Sequence, residues 1–262
     1  MTATEPGRLV GSDRVLAVLI ELAEHPAGAT LDELTQALQS PKSTIHRALT
    51  SLRSARLATQ LSRGVYVLGD EFIRLAFENY AARPDAAIVE PILRSLSERF
   101  GETAHYAVLE GADVVYRAKV DPSSGAMRLT SVVGGRNPAY RTAVGKLLLA
   151  DTVGSEAELR RVLGPAPLDK RTPNTETDPA ALWTQLQLIR ELGYAVDDQE
   201  NEPGVNCVAV PLRLGDDLPA SGAVSVSALA FRLPLADLIA RVDEIRGVAE
   251  ALPAAEYGSG RT

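Results

Sequence analysis

The chain has 262 residues, a formal charge of −7 at neutral pH and 45% hydrophobic residues, enough for two domains with separate cores. No run approaches the ~18 uninterrupted apolar residues of a membrane helix, and Met1 to Pro6 lack the basic-then-apolar build of a signal peptide. One cysteine, Cys207, excludes an internal disulfide framework and a thiolate zinc site, so the expected compartment is the cytoplasm.

Residues 1–8 read as a disordered N-terminus, and the first domain is expected over 9–69. A helix starts near Ser12, with Val15, Leu16, Leu19, Leu22 and Ala23 as its apolar face. Thr30-Leu31-Asp32-Glu33 is a capping box, in which the Thr30 hydroxyl accepts from the amide of residue 33 and Glu33 reaches back to the amide of residue 30. Leu31, Leu34, Ala37 and Leu38 follow on one helical face. After a tight turn, Ser40 is expected as N-cap and Pro41 at the first helical position, where its missing N–H costs nothing. In that helix Ile45, Ala48, Leu49 and Leu52 recur at helical spacing and bury. Lys42, Ser43, His46, Arg47, Thr50 and Arg53 are left outside. Residues 57–61 and 65–68 then alternate around Ser62-Arg63-Gly64, which reads as a β-hairpin with an arginine at its tip.

Charge agrees with this winged helix-turn-helix. Residues 34–69 contain Lys42, Arg47, Arg53, Arg56 and Arg63 and no acid, in an acidic chain. A surface without carboxylates suits a polyanion, and a short helix, a turn and a second helix with a polar, basic N-terminal half fit a major groove. An arginine on the wing meets phosphate or the minor groove. The alternative is a non-enzymatic module whose winged helix docks protein. Positions 1–70 carry seven basic and seven acidic residues, so the asymmetry lies within the unit. The remainder carries 20 basic against 27 acidic residues and is not expected to bind DNA.

A linker helix is expected over 70–84, capped by Asp70, with Phe72, Ile73, Leu75, Ala76 and Phe77 as a wide apolar stripe that suggests a partner helix. Arg83-Pro84-Asp85 ends it and marks the domain boundary. From 85 to 252 the order is mixed: a helix carrying Ile88 to Phe100, kinked or restarted at Pro91, then strands over 103–109, 114–120 and 127–133. A helix over 143–150, another from Asp178-Pro179, strands over 194–197, 205–212 and 222–228, and a last helix over 235–252 complete it. Hairpins and helices without steady βα alternation argue for an α+β fold with a mainly antiparallel sheet. Residues 253–262 read as a flexible tail.

Five ordered segments carry a specific resemblance. They are Gly101-Glu102-Thr103-Ala104-His105, Val144-Gly145-Lys146, Asp197-Asp198-Gln199-Glu200, Gly204-Val205-Asn206-Cys207-Val208-Ala209 and Ser225-Val226-Ser227, preceded by the helix entry Pro41-Lys42-Ser43-Thr44-Ile45-His46-Arg47. With them the chain resembles the IclR-type family of bacterial transcriptional regulators along essentially its whole length. The resemblance implies an N-terminal winged helix, a linker helix used in dimerisation and a GAF-like domain that binds a small organic acid effector. The expected partners are therefore a double-stranded DNA operator, that effector, and further copies in a homodimer or tetramer, with no membrane and no cofactor. The DNA-contact set becomes Lys42, Ser43, Thr44, His46, Arg47 and Arg53, with Arg63 of the wing. The effector residues become Ala143, Val144, Asp197, Cys207, Ser225 and Ser227.

That pocket is chemically sensible. Free amides at a helix start hold a carboxylate, which suits Ala143 and Val144. Ser225 and Ser227, two apart on a strand, share a face and can orient a polar ligand. Asp197 either accepts from a ligand hydroxyl or holds a proton, since an anion would repel its carboxylate. The bland readings are that the serines only satisfy the sheet and Cys207 fills core. Many family members carry histidine where this chain has Arg141; an inward Arg141 implies a more anionic or longer ligand.

Enzyme readings fail. A phosphate loop at Gly145-Lys146 needs Gly at 140 and Ser or Thr at 147, where the chain has Tyr140 and Leu147. No local motif supports Cys207 and His105 as a nucleophile pair. His25, His46 and His105 make no metal-ligand spacing, and no metal is expected.

Overall fold

The computed structural model describes residues 11–62, 64–81, 84–123, 129–213 and 222–251; the chain divides into two compact units, Met1–Arg83 and Pro84–Thr262. Arg63 and the two termini expected to be disordered therefore lie outside the described residues.

The first unit contains α1 (Ser12–Ala23), α2 (Leu31–Ala37), α3 (Lys42–Ser54) and α4 (Asp70–Ala81). Its strands β1 (Ala29–Thr30), β2 (Ala58–Ser62) and β3 (Val65–Leu68) form one antiparallel sheet in the order β1-β3-β2. The capping box is formed: Thr30 Oγ1 accepts from the Glu33 amide at 3.2 Å, and the Thr30 amide donates to Glu33 at 2.7 Å. β1, absent from the sequence reading, is two residues long, too short to leave an alternation. Val18 and Leu22 of α1, Leu34 of α2, and Ile45, Ala48, Leu49 and Leu52 of α3 make the core. Leu16 and Ala23, expected on the buried face of α1, are exposed, because the face is centred on Val18. At α3 the cap shifts by one residue: Pro41 is the N-cap, and its carbonyl accepts from Thr44 and Ile45 at 2.8 and 3.2 Å. Gly69 joins the wing to α4, where a Cβ would stand 2.1 Å from the Arg56 carbonyl oxygen. Along α4, Ile73, Leu75 and Phe77 are exposed.

The second unit begins with α5 (Pro84–Phe100), which continues as helix through Pro91 rather than restarting there. The remaining elements are β4 (Thr103–Glu110), β5 (Asp113–Val120), β6 (Arg136–Pro138), a 3-10 turn (Ala139–Arg141), α6 (Ala143–Thr152), α7 (Glu156–Leu163), α8 (Pro179–Leu192), β7 (Ala195–Asp198), β8 (Val205–Leu212), β9 (Gly222–Leu229), α9 (Leu235–Ile239) and α10 (Val242–Ala251). The six strands form one antiparallel sheet ordered β6-β5-β4-β9-β8-β7. Period-2 geometry sends alternate residues to opposite faces. One face packs on α5, α9 and α10 through Ala104, Tyr106, Val208, Val210, Val224 and Val226, and the other packs on α6, α7 and α8.

Two expectations are corrected here, and one element is added. The strand placed at 127–133 does not form over 129–133, where Lys119 Nζ instead donates to the Leu129 and Ser131 carbonyls at 3.0 and 2.8 Å; Met127 and Arg128 lie outside the described residues. The last helix is two, α9 and α10, interrupted at Ala240 and Arg241. The helix α7 was not anticipated, although Ser155 caps it by accepting from the Glu158 amide.

Candidate functional site

On the first unit, α3 presents Lys42, Ser43, His46, Arg47, Thr50 and Arg53 to solvent. Thr44, counted among the DNA contacts, is 8% exposed and turns toward the core with Ile45, so it does not join that face. The Pro41 cap sets this rotation, placing residues 44, 45, 48, 49 and 52 on the buried side. Lys42 Nζ lies 2.5 Å from Asp32 Oδ1. Both groups are exposed, so this pair stabilises little and leaves the lysine free to exchange its partner for a phosphate. Arg53 also borders a groove of about 830 Å³ with Arg56, Asp70, Glu71 and Arg74. That groove is of mixed charge, and Arg74 is held by Glu71 and Glu78.

On the second unit, the six expected effector residues converge. Ala143, Val144, Asp197, Cys207, Ser225 and Ser227 all line one cavity of about 730 Å³. The sheet register produces its floor: Asp197 pairs with Cys207, Cys207 with Ser227, and Ser225 with His105, so these side chains come from neighbouring strands onto one face. The start of α6 forms a wall. Thr142 caps that helix, its Oγ1 accepting from the Gly145 amide at 3.1 Å. Gly145 is required there, since a Cβ would stand 2.3 Å from the Ala139 carbonyl oxygen. The first amides of α6, at Ala143 and Val144, are thus turned toward the cavity end of the helix dipole, an arrangement that suits an anion.

Arg141 faces this cavity. Its Nε donates to Asn201 Oδ1 at 2.9 Å and its guanidinium pairs with Asp169 at 3.0 Å. The segment after α7 braces both sides: the Tyr140 hydroxyl donates to the Asp169 carbonyl at 2.6 Å, and Thr175 Oγ1 to the Glu200 carbonyl at 2.6 Å. Among the lining groups that the sequence does not point to are His105, Tyr116 and Ser131. His105 bridges floor and rim, with Nε2 2.7 Å from Ser131 Oγ and Nδ1 3.3 Å from Ser227 Oγ. Its place in the pocket follows from its register with Ser225 on β9, which no local sequence pattern signals.

Burial sets the charge states. It pushes the His105 imidazole down to about 3, with Lys119 adding to the effect, so the ring is neutral at neutral pH. It pushes the Cys207 thiol up to about 12, with the Asp197 charge adding to it. Cys207 Sγ is 2.6 Å from Ser227 Oγ, and the serine stands between thiol and imidazole. A nucleophilic pair needs a thiolate beside an imidazolium; these shifts run the opposite way. Asp197 is raised to about 7, chiefly by burial, against the amides of Glu200 and Asn201 that donate to its Oδ1. The cavity thus combines the neutral groups His105, Tyr116, Cys207, Ser225 and Ser227 with a helix start, the arginines Arg136, Arg141 and Arg171, and the acids Asp197 and Glu202.

Comparison with known proteins covers both units. Residues 83–254 match the family described as bacterial transcriptional regulator IclR C-terminal, and residues 12–62 match the IclR helix-turn-helix domain. The Pca regulon regulatory protein of Pseudomonas putida is 34% identical over 211 residues, which are 79% of this chain and 70% of that protein. The HTH-type transcriptional regulator BhcR of Paracoccus denitrificans is 33% identical over 255 residues, 95% of this chain and 88% of that protein. The crystal structure of the Thermotoga maritima IclR has a TM-score of 0.74 at 27% identity, covering 93% of this chain and 97% of that one.

Proposed function

The chain belongs to the IclR-type family of bacterial transcriptional regulators, and from that premise we propose that a small organic carboxylate, bound in the second unit, modulates operator binding by the first. The observation that carries this reading is the convergence of Ala143, Val144, Asp197, Cys207, Ser225 and Ser227 on one cavity at the start of α6. The α6 amides and Arg141 receive the carboxylate, Ser225 and Ser227 orient the polar part of the ligand, and Tyr116 packs against its body. An inward Arg141 favours an acid with a second polar or anionic group. Operator contact falls to Lys42, Ser43, His46, Arg47 and Arg53 of α3, with Arg63 on the wing, and the place of action is the cytoplasm. The exposed Ile73, Leu75 and Phe77 on α4 support a homodimer formed through that helix, alone or within a tetramer.

The test is calorimetric titration of keto, aromatic and sugar acids into the wild type and a Ser225→Ala/Ser227→Ala double variant. Gel shift on DNA upstream of the gene runs in parallel. A charge-assisted hydrogen bond contributes about 1.5–3 kcal/mol and a neutral one about 0.5–1.5, so the double variant should bind its acid at least ~10-fold more weakly. Its DNA affinity without acid should stay unchanged, because the coupling acts only through bound ligand. Arg47→Ala should remove specific binding of the DNA, a loss of about 1–3 kcal/mol for one base contact. Acid affinity that survives the serine changes would place the effector elsewhere, and operator binding that survives Arg47→Ala at matched salt would dismiss α3 as the reading helix.

A further inference from the structure

At one wall of the cavity lies a buried cluster of one cation and two acids, of which only Asp197 belongs to the lining, while Lys146 and Glu200 stand behind it. Lys146 on α6 is 2% exposed, the one fully buried Lys or Arg among the described residues. Its Nζ stands 2.5 Å from Glu200 Oε1 and 3.4 Å from Gln185 Oε1 on α8. Glu200 is 6% exposed, and its Oε2 has no hydrogen-bond partner among the described residues. The Glu200 amide donates to Asp197 Oδ1 at 2.6 Å, and the Asn201 amide reaches the same oxygen at 3.3 Å. Asp197 Oδ2 receives no donor from a described residue, and Asp197 lines the cavity. The cation therefore serves the acid outside the cavity, while the acid inside has two amides and no cation in contact.

The remaining groups that face Asp197 do not change that balance. Cys207 on β8 is a neutral thiol, Tyr116 on β5 is raised by burial and neutral, and His105 on β4 is neutral above about 3. Arg141, on the 3-10 turn before α6, is engaged by Asn201 and Asp169. Arg136, Arg171 and Glu202 line the same cavity; Arg136 pairs with Glu110, Glu202 accepts from Thr130, and none of the three forms an ion pair with Asp197 among the described residues. With both acids ionised, the buried cluster would hold one uncompensated negative charge in a low-dielectric setting. The carboxyl without a cation is the one that relieves this by keeping a proton. The upward displacement of Asp197 to about 7, with burial first and the Glu200 charge adding to it, agrees in direction.

We propose that Lys146 and Glu200 are positioning residues: their buried ion pair holds the cation away from Asp197, so that Asp197 meets an effector carboxylate as a proton-bearing hydrogen-bond donor through Oδ2. The inference rests on reading the cavity as the effector site. It makes binding of the acid proton-linked, tighter below the Asp197 midpoint and weaker above it. It also gives Glu200 a role that no contact with the ligand would reveal.

The experiment follows the Asp197 carboxyl carbon by NMR in the full-length, ligand-free protein labelled at aspartate, with Asp197→Asn to assign the signal. The wild type should titrate near 7. Glu200→Gln removes one neighbouring charge and frees Lys146, so the midpoint should fall by at least about one pH unit, a tenfold change in proton affinity. Binding of an effector acid slightly above neutrality should weaken by a similar ~10-fold, and recover on acidification. Adding Lys146→Met to Glu200→Gln removes the freed cation and should return the midpoint toward wild type. A pair that only braced the fold would leave the double variant at least as displaced as the single one. A wild-type midpoint in the ordinary carboxylate range overturns the proposal, as does an unmoved midpoint in Glu200→Gln or a double variant shifted as far as the single. The wild-type reading needs no substitution, so it decides even where a variant does not fold. Failure of the cavity reading is seen separately, as acid affinity that survives Ser225→Ala/Ser227→Ala.

Discussion

The two faces of the six-stranded sheet are built by the same strands and are both buried, yet they are opposite in chemistry. Along β4, β8 and β9 one set of alternate residues is Ala104, Tyr106, Val208, Val210, Val224 and Val226, packed against Ile92, Leu93 and Leu96 of α5 and Ile245 of α10. The other set brings His105, Cys207, Ser225 and Ser227 to the cavity, 9% exposed at most. Helices bury the first face along β4, β8 and β9. The second is covered by α6 only up to the start of that helix, where the cavity opens. Low exposure therefore does not separate core from site; buried hydrogen-bonding groups gathered on one face do.

The largest test of this contrast is on the apolar face. Leu96 is fully buried in that layer, and Leu96→Ala should lower unfolding free energy by about 2–5 kcal/mol, through lost transfer energy and the cavity left behind. Urea unfolding measures it. Effector affinity, read where the variant is still folded, should be unchanged. A large change in affinity at small cost in stability would mean that the two faces are not energetically separate.

Much of this contrast was legible in the sequence, in proportion to how local its cause is. The strands at 205–212 and 222–229 sit where short apolar runs placed them, to within one residue, because a strand buried on both faces leaves a continuous signature. The capping box at Thr30 is encoded within four residues and formed as read. The missed elements had weaker local marks. β6 is three residues long, and α7 follows a loop of mixed character although Ser155 and Glu158 stand at cap spacing. The strand expected over 127–133 does not form over 129–133, where the Leu129 and Ser131 carbonyls bond to a lysine side chain rather than to a neighbouring strand. The six pocket residues came from resemblance, and periodicity alone supplied only the shared face of Ser225 and Ser227. His105 and the Lys146–Glu200 pair depend on tertiary register across 122 and 54 residues of chain, which no local pattern carries.

The next effect falls between pH 3.8 and about 7. A carboxyl raised in the folded state from its ordinary 3.8 to about 7 contributes stability that is complete below the lower value and lost as pH rises through the higher one. The wild type should therefore lose on the order of 2–4 kcal/mol across that window from this one group. Asp197→Asn keeps an acceptor for the Glu200 and Asn201 amides and cannot ionise, so it should lack that loss. Unfolding midpoints of both proteins at either end of the window measure the difference. Parallel pH profiles for the two proteins would show that Asp197 is ionised in the fold.

His105 should act on the acid side, with the opposite sign. Its folded value is depressed from 6.5 to about 3, so its contribution is present above 6.5 and lost as pH falls toward the folded value. The unfolded chain gains a proton that the folded one refuses. At about 1.4 kcal/mol per pH unit, the wild type should lose roughly 2 kcal/mol between pH 6.5 and 5 from this residue. His105→Asn should flatten that limb whatever its effect on absolute stability. An unaltered slope would mean that the imidazole titrates freely in the fold.

The smallest expected effect separates the faces most sharply. Thr142 contributes one hydroxyl, which accepts from the Gly145 amide and caps α6 where that helix meets the cavity. Thr142→Ala leaves that amide without its acceptor and should cost about 1 kcal/mol in unfolding free energy, less than Leu96→Ala. Thr142→Ser keeps the hydroxyl and should recover most of it. The same hydroxyl fixes the entry angle of α6, and hence the direction in which the Ala143 and Val144 amides point. Effector affinity should therefore fall several-fold in the alanine variant, a change of about 1 kcal/mol, and be restored in the serine variant. Calorimetric titration with an acid that binds the wild type, beside urea unfolding of all three proteins, reads both quantities. On the apolar face a substitution is expected to appear in stability and not in binding; at Thr142 it should appear in both at similar size, because there the end of a secondary structure is also the wall of the site. An alanine variant with intact affinity would place the anion away from the α6 amides, and the carboxylate would then have to rest on Arg141 and the two serines.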